Sequence, residues 1–385
     1  MQKFNLYLDF IRDLYKVDKD TFLPLHAPVF KGHEKEYLID TIDSTFVSSV
    51  GVYVNKFEDK LQDLLHSPFA VACTNGTCAL QIALNVAGVG HNDYVITQAL
   101  SFVATSNAIS HVGAKPIFLD IDINTLGLSA KALASFLDSR TYQKDGFCYL
   151  KDDNKKIAAC VPMHTFGFAC EIDKIVDICH KHNILVVEDA AEALGSKYQG
   201  RALGTFGDLG CLSFNGNKII TTGGGGAILT NNENYAKHAK RLTTTAKVPH
   251  QYKFFHDEIA YNFRMPNLNA ALGCAQLESL PSFLENKRQT AMAYKGFFKD
   301  SDCLFVDEVQ NCKANFWLCA IKFNDIKMRD SFLEYSNSHN VMTRPCWEMT
   351  HTLPMYKDCI KDSLKNTTFI YERLVNIPSG VRCCD

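Results

Sequence analysis

The run Ile184-Leu185-Val186-Val187-Glu188-Asp189 decides the fold class. Its first four residues are apolar, without the polar alternation of a half-exposed strand. It therefore reads as a strand buried on both faces and closed by two acids. The same short apolar style recurs outward from it, at Phe69-Ala70-Val71-Ala72-Cys73, Tyr94-Val95-Ile96-Thr97, Pro116-Ile117-Phe118-Leu119-Asp120 and Ile157-Ala158-Ala159-Cys160-Val161-Pro162. Helical stretches at Cys78–Val86, Phe102–His111 and Ile172–His182 fall between these strands. Strand alternating with helix over this length specifies an α/β fold around a mostly parallel sheet covered on both faces. Lys131–Lys156 adds a helix and a polar loop that read as a surface excursion.

The flanks differ in style. Residues 1–22 form a helical appendage, with Leu6, Phe10, Ile11 and Leu14 as an apolar stripe on a helix from Asn5 to Tyr15. Helices are expected around Glu34–Ser44, Val54–Leu65 and Asn232–Leu242. A polar segment, Thr243-Thr244-Thr245-Ala246-Lys247-Val248-Pro249, precedes another helix from Asn267 to Leu284. Beyond that helix, further helices mix with short strands such as Leu318–Phe323. The division implied is an appendage at 1–22, a large α/β domain at 23–255 and a smaller α+β domain at 256–385.

Composition limits what this chain does. Its 385 residues, 46% hydrophobic and 21% charged, are enough for a full core. Forty basic against 42 acidic residues leave a net charge of −2, with no basic stripe for a nucleic acid. No apolar run approaches the roughly 20 residues needed to span a bilayer, and the start lacks a signal-peptide core. Fifteen irregularly spaced cysteines without a Cys-x-x-Cys pair read as reduced thiols of a cytoplasmic protein.

Ligands of open parallel sheets bind at the carboxyl ends of the strands, and three candidate stretches lie there. Thr74-Asn75-Gly76-Thr77 opens a helix; it reads either as an ordinary cap or as an anion cradle of free N–H groups with a hydroxyl. Asp189 ends its strand, where it either caps the next turn or holds a protonated ring nitrogen. Ser213, the third, is a hydroxyl suited to a phosphate oxygen. Just after it comes Phe214-Asn215-Gly216-Asn217-Lys218-Ile219-Ile220-Thr221-Thr222-Gly223-Gly224-Gly225-Gly226-Ala227, whose lysine has no charged neighbour nearer in sequence than Asp208 and Glu233. Such a lysine suits a nucleophilic amine, and the glycines allow close backbone approach by a ligand. Anion cradle, ring-nitrogen carboxylate and isolated lysine are together the requirements of pyridoxal 5'-phosphate (PLP). Phe102 reads as core or as a ring stacked on the cofactor, and His164 as a pocket residue or a satisfied structural histidine. There is no Gly-x-Gly-x-x-Gly after a strand, the glycine run follows the lysine rather than preceding it, and no His-Glu-x-x-His zinc motif occurs. No metal site is expected.

These residues resemble the DegT/DnrJ/EryC1/StrS sugar aminotransferases of the fold-type I, aspartate aminotransferase-like superfamily. The resemblance runs from about Leu23 to Ser379, through Asn75-Gly76-Thr77-Cys78-Ala79-Leu80, Val187-Glu188-Asp189-Ala190-Ala191-Glu192-Ala193-Leu194-Gly195, Ser213-Phe214-Asn215-Gly216-Asn217-Lys218 and Tyr261-Asn262-Phe263-Arg264. Pro24–Phe30, Ser44–Gly51 and Leu242–His250 are most similar to the aminotransferases of legionaminic acid biosynthesis, with the bacillosamine-forming enzymes as close relatives. The resemblance implies a mostly parallel seven-stranded sheet and a homodimer with shared active sites. Lys218 would be the Schiff-base lysine and proton carrier, Asp189 the partner of the pyridine nitrogen, and Phe102 the stacking ring. Gly76, Thr77 and Ser213 would bind the phosphate, with Asn262 reaching the phosphate of the neighbouring subunit's cofactor. Glu192 stands where many relatives carry Gln or His near the cofactor hydroxyl, and a carboxyl there must be protonated to donate. Arg344 and Lys247 read as diphosphate ligands of the substrate or as solvated surface residues.

The implied reaction moves an amino group, from L-glutamate, to C4 of a nucleotide-linked 4-keto-6-deoxy-N-acetylhexosamine. The alternatives are a C3 sugar aminotransferase or dehydratase on the same fold, or a non-catalytic regulator. Dehydratases of this fold carry histidine in place of the lysine, so Lys218 favours transamination. The sequence runs to Val381-Arg382-Cys383-Cys384-Asp385, and no terminal helix such as several relatives carry is expected there.

Overall fold

The computed structural model describes residues 2–382. Its larger sheet contains seven strands in one path: β1 (Phe69–Cys73), β2 (Tyr94–Gln98), β3 (Lys115–Leu119), β4 (Lys156–Val161), β5 (Leu185–Asp189), β6 (Leu209–Ser213) and β7 (Gly226–Thr230). Their spatial order is β1-β7-β6-β5-β4-β2-β3. Only β7 runs against its neighbours on this path, pairing antiparallel with β1 and β6, while the other pairs are parallel. The expected mostly parallel seven-strand path is thus present, within a sheet of nine strands. The excursion at Lys131–Lys156 contains a hairpin, Thr141–Lys144 and Phe147–Leu150, whose second strand pairs with β4.

Alternation along the strands feeds two cores. Val95, Val187, Cys211 and Ile228 point into one apolar cluster, and Ile96, Val186, Leu212 and Leu229 into the other. Both faces are dry because helices cover them, which is why the strands lack polar alternation. The helices in chain order are α1 (Gln2–Tyr15), α2 (Glu34–Asp43), α3 (Val52–Leu65), α4 (Gly76–Val86), α5 (Val103–His111), α6 (Ala130–Arg140), α7 (Ile172–Lys181), α8 (Glu233–Thr243), α9 (Asn267–Phe298), α10 (Ile326–Ser338) and α11 (Lys365–Tyr371). Of these, α4 and α5 contribute Ile82, Leu84, Ala108 and Ile109 to the first cluster. Phe57 and Leu61 of α3 (Val52–Leu65) join the second.

A smaller antiparallel sheet holds β8 (Leu304–Phe305), β9 (Cys319–Lys322), β10 (Arg344–Pro345) and β11 (Leu374–Ile377), in the order β8-β9-β11-β10. Helix α1 (Gln2–Tyr15) packs beside this sheet, with the Phe4 ring 5.3 Å from Phe332 of α10 (Ile326–Ser338). Between the sheets runs α9 (Asn267–Phe298), 32 residues long. The sequence reading ended this helix at Leu284, and that boundary is corrected. Pro281 lies inside the helix at a cost of about 3 kcal/mol. Burial of Leu280, Phe283, Ala291, Tyr294 and Phe298 along one face outweighs it, since each large apolar side chain gains roughly 1.5–3 kcal/mol. Among the described residues, no helix is long and apolar enough to cross a membrane.

Candidate active site

A cavity of about 310 Å³ opens at the carboxyl ends of β1, β5 and β6. It brings together Gly76, Thr77, Phe102, Asp189, Glu192, Ser213 and Lys218, which lie far apart in sequence. At one end, Asn75 caps α4 by accepting the Cys78 N–H at 2.8 Å, leaving the first helical N–H groups free of helix partners. Gly76 sits so close to Ser213 that a Cβ on it would lie 2.7 Å from the serine Cβ. A Cβ on Gly226 would lie 2.5 Å from the Asn75 carbonyl oxygen. Two of the four glycines serve the chain itself rather than a ligand beside the lysine, which corrects that expectation: Gly226 makes room for this helix-opening turn, and Gly225 for Thr222 and Met265.

Asp189 is held from two sides. Its Oδ2 accepts from the Thr105 hydroxyl at 2.6 Å and its Oδ1 from the Ala191 N–H at 3.1 Å. The Thr105 hydroxyl is in turn 2.8 Å from that of Ser101. The carboxylate is fixed in direction while still lining the cavity.

Lys218 is not isolated in space, which corrects the inference drawn from its sequence neighbours. Its Nζ lies 3.3 Å from Glu192 Oε1 and 4.1 Å from the centre of the Trp317 ring. The other Glu192 oxygen accepts the Phe166 N–H at 2.9 Å. Burial pushes the Glu192 carboxyl up to about 7; Lys218 and the Phe166 N–H pull against that rise, and Asp189 adds to it. Near neutral pH, Glu192 therefore exists in both forms and can donate as well as accept a hydrogen bond.

The aromatic wall was only partly legible. Phe102, 47% exposed, caps α5 and faces Trp347 at 6.3 Å between ring centres. The buried ring of Phe166 lies between the two tryptophans, 6.5 Å from Trp317 and 5.1 Å from Trp347. Both tryptophans of the chain line this cavity, and sequence reading found neither. They arrive from the smaller sheet's surroundings, more than 90 residues past Lys218, with no local signal beyond their rarity.

Three candidates lie off the cavity. Arg344 is exposed on β10 and hydrogen-bonds Asn337 Oδ1 and the Thr343 carbonyl, both at 3.0 Å. Lys247 lies on an exposed ribbon, its Nζ 4.3 Å from the Phe254 ring centre. Asn262, also exposed, accepts from Arg264 Nε at 3.1 Å. His164 is structural: it is fully buried, with Nε2 2.8 Å from Glu188 Oε2. Burial opposes its charge, but Cys170 and Glu188 alongside carry its pKa up to about 10.

The DegT/DnrJ/EryC1/StrS aminotransferase family matches this chain over residues 28–385. The chain belongs to that family. GDP-perosamine synthase of Escherichia coli O157:H7 is 35% identical over 339 residues, covering 88% of each chain. Its Vibrio cholerae namesake is 32% identical over 94% of this chain and 95% of its own. UDP-2-acetamido-2-deoxy-3-oxo-D-glucuronate aminotransferase of Pseudomonas aeruginosa is 30% identical over 64% of this chain and 63% of its own. Among solved structures, Spr1654 of Streptococcus pneumoniae in its PLP form superposes with a TM-score of 0.84, at 21% identity over 95% of each chain. Helicobacter pylori PseC does so at 0.83, with 23% identity over 93% and 94%. These likenesses establish the aspartate aminotransferase-like fold.

The protein is thus a PLP-dependent aminotransferase, and the residues present fit the cofactor. A lysine amine lines a cavity that also holds a fixed carboxylate. At its other end, the Thr77 and Ser213 hydroxyls meet the amino terminus of α4, where Ser213 leaves no room for a Cβ on Gly76.

Proposed function

We propose that this enzyme transfers an amino group from L-glutamate to C4 of a nucleotide-linked 4-keto-6-deoxy-N-acetylhexosamine, on the route to a legionaminic acid- or bacillosamine-type surface glycan. The observation that carries the reading is the Lys218 amine, held in the cavity between the Glu192 carboxyl and the Trp317 face. Bound here, PLP supplies the electron sink that makes a proton on the donor's amine-bearing carbon removable. Lys218 would anchor it, and its Nζ would serve as the base that carries that proton. Asp189 would hold the pyridine nitrogen protonated, Phe102 would stack on the ring, and Gly76, Thr77 and Ser213 would hold the phosphate. Glu192, in its protonated form, donates to the cofactor hydroxyl.

The C4 keto sugar is supported by the three segments similar to legionaminic acid aminotransferases. The relatives named above carry GDP in one case and UDP in another, so both nucleotides belong in the test. A second copy of the chain completes the site. The ribbon bearing Lys247 leaves Tyr252, Phe254, Phe255 and Ile259 exposed, Phe254 to 81%, an apolar surface that a partner would cover. Asn262 at the ribbon's base would then reach the partner's cofactor phosphate, and Arg344 and Lys247 the sugar diphosphate.

Purified enzyme with PLP and glutamate is offered GDP- and UDP-linked 4-keto-6-deoxy sugars and a UDP-linked 3-keto sugar, and the product amine is located by NMR. Amination at C4 of an N-acetylated substrate is expected. Turnover of the 3-keto sugar alone would overturn the assignment.

A further inference from the structure

Lys287 is a buried amine that the reaction does not use. It lies on α9 with 1% of its surface exposed and pairs with no carboxylate among the described residues. Burying a lysine without a counter-ion costs several kcal/mol, so its surroundings must return something for it. Two backbone carbonyls accept from its Nζ: that of Trp317, at 3.2 Å, and that of Ser379. These carbonyls belong to separate segments, one entering β9 and the other following β11. The neighbouring ionisable groups are the Cys319 thiol and the His26 ring, neither of which supplies a negative charge while neutral.

Trp317 is the piece that reaches the active site. Its indole N–H donates to the Asn217 carbonyl at 2.7 Å, one residue before Lys218. Its backbone N–H donates to Asn315 Oδ1 at 2.8 Å, and Asn315 gives its own amide to the Glu192 carbonyl at 2.8 Å. The Trp317 ring is the surface on which the Lys218 amine rests. From Lys287 a continuous chain of contacts thus runs to both members of the Lys218–Glu192 pair.

We infer that Lys287 is a positioning residue: its buried amine clamps the Trp317 carbonyl against that of Ser379 and so fixes the indole that seats Lys218. The amine suits the task. An apolar side chain would leave both carbonyls without a donor, at about 1–3 kcal/mol for each buried group. A carboxylate partner would compete for its N–H groups. Burial lowers its pKa to about 7, so the charged form is not obligatory near neutral pH, and the neutral amine still has a hydrogen for each carbonyl.

The test uses Lys287→Met, which keeps length and apolar bulk but removes the donors, with Lys287→Arg as the variant that restores them. Trp317 is observed alone in a Trp347→Phe background, by acrylamide quenching of its fluorescence in protein without cofactor. The expected result is a folded Lys287→Met protein in which quenching rises at least twofold and kcat falls at least tenfold. KM for glutamate should change less than threefold, and Lys287→Arg should regain most of kcat. Adding Trp317→Phe to Lys287→Met should lower kcat little further, because both act through one element. Unchanged quenching and kcat in folded Lys287→Met would overturn the inference, as would a fully additive double variant. If Lys287→Met fails to fold, Lys287→Gln, with a shorter donor, replaces it under the same criteria. Because kcat is followed on any accepted keto sugar, failure here is separate from failure of the C4 assignment.

Discussion

Glu188 and Glu192 are both buried and both paired with a basic side chain, yet they are built for opposite ends. Glu188 is saturated: beyond His164 it accepts three backbone N–H groups, from Gly204 at 2.9 Å and from Phe206 and Gly207 at 2.6 Å. Glu192 has one backbone donor and a lysine at 3.3 Å, and it faces a cavity. A carboxylate that receives four donors is a structural pin. One that receives two, with its pKa lifted to about 7, is left able to exchange a proton. Adjacent acids on β5 show the same split, since Glu188 and Asp189 point to opposite faces of the sheet.

Substitutions at the buried acids and their partners separate the two roles. Lys218→Ala should lower turnover most, by roughly 10⁴-fold or more through loss of anchor and proton carrier, with a melting temperature close to that of the parent. Product formation followed by chromatography checks it. Glu188→Ala should act on the fold instead: four donors lose their acceptor, and about 3–5 kcal/mol of stability should disappear in a urea titration. A Glu188 variant that is stable but inactive would erase the distinction drawn above.

Thr105→Val removes a hydroxyl donor from Asp189 while keeping shape. A loss of about 1.5–3 kcal/mol in transition-state stabilisation, read from kcat/KM, is expected, as for other hydrogen bonds to a charged group. Glu192→Gln should have an effect confined to the pH dependence of stability. Glu192 has a folded pKa raised from 4.5 to about 7, so the folded protein binds more protons than the unfolded chain between those values. Parent stability should therefore fall as pH rises from about 4.5 to 7 and level off above it. The Gln variant lacks this slope, and melting curves across that window would show whether Glu192 is the group responsible.

Legibility followed the range of the interactions. Apolar runs such as Ile184–Asp189 revealed the sheet because a strand buried on both faces must be apolar throughout. Asp189, Gly76, Thr77 and Ser213 were readable as cavity residues because each ends a strand or opens a helix, where sheets of this class place ligands; Glu192 was readable only through the resemblance to the family. Trp317 and Trp347 were not legible, since they reach the cavity only when the smaller sheet's surroundings close on the larger; nor was Thr105, whose bond to Asp189 joins residues 84 positions apart within the larger body. The extent of α9 was hidden for a related reason: Pro281 is a local stop signal, and the burial that overrides it is not local. Charge isolation misled at Lys218, because its carboxylate partner is 26 positions earlier in the chain.

The course of α9 has a mechanical consequence. A rod shared by two sheets turns any separation of them into a bend, and the rod's weakest point is Pro281. Lys287 lies six residues beyond that point, a lever arm of about 9 Å at the helical rise. A flexure of about 10° would swing it by roughly 1.5 Å, and a misplacement near 1 Å is already enough to cost about a hundredfold in rate. On the role inferred for Lys287, the stiffness of one proline-containing turn would bear on how closely Lys218 is placed.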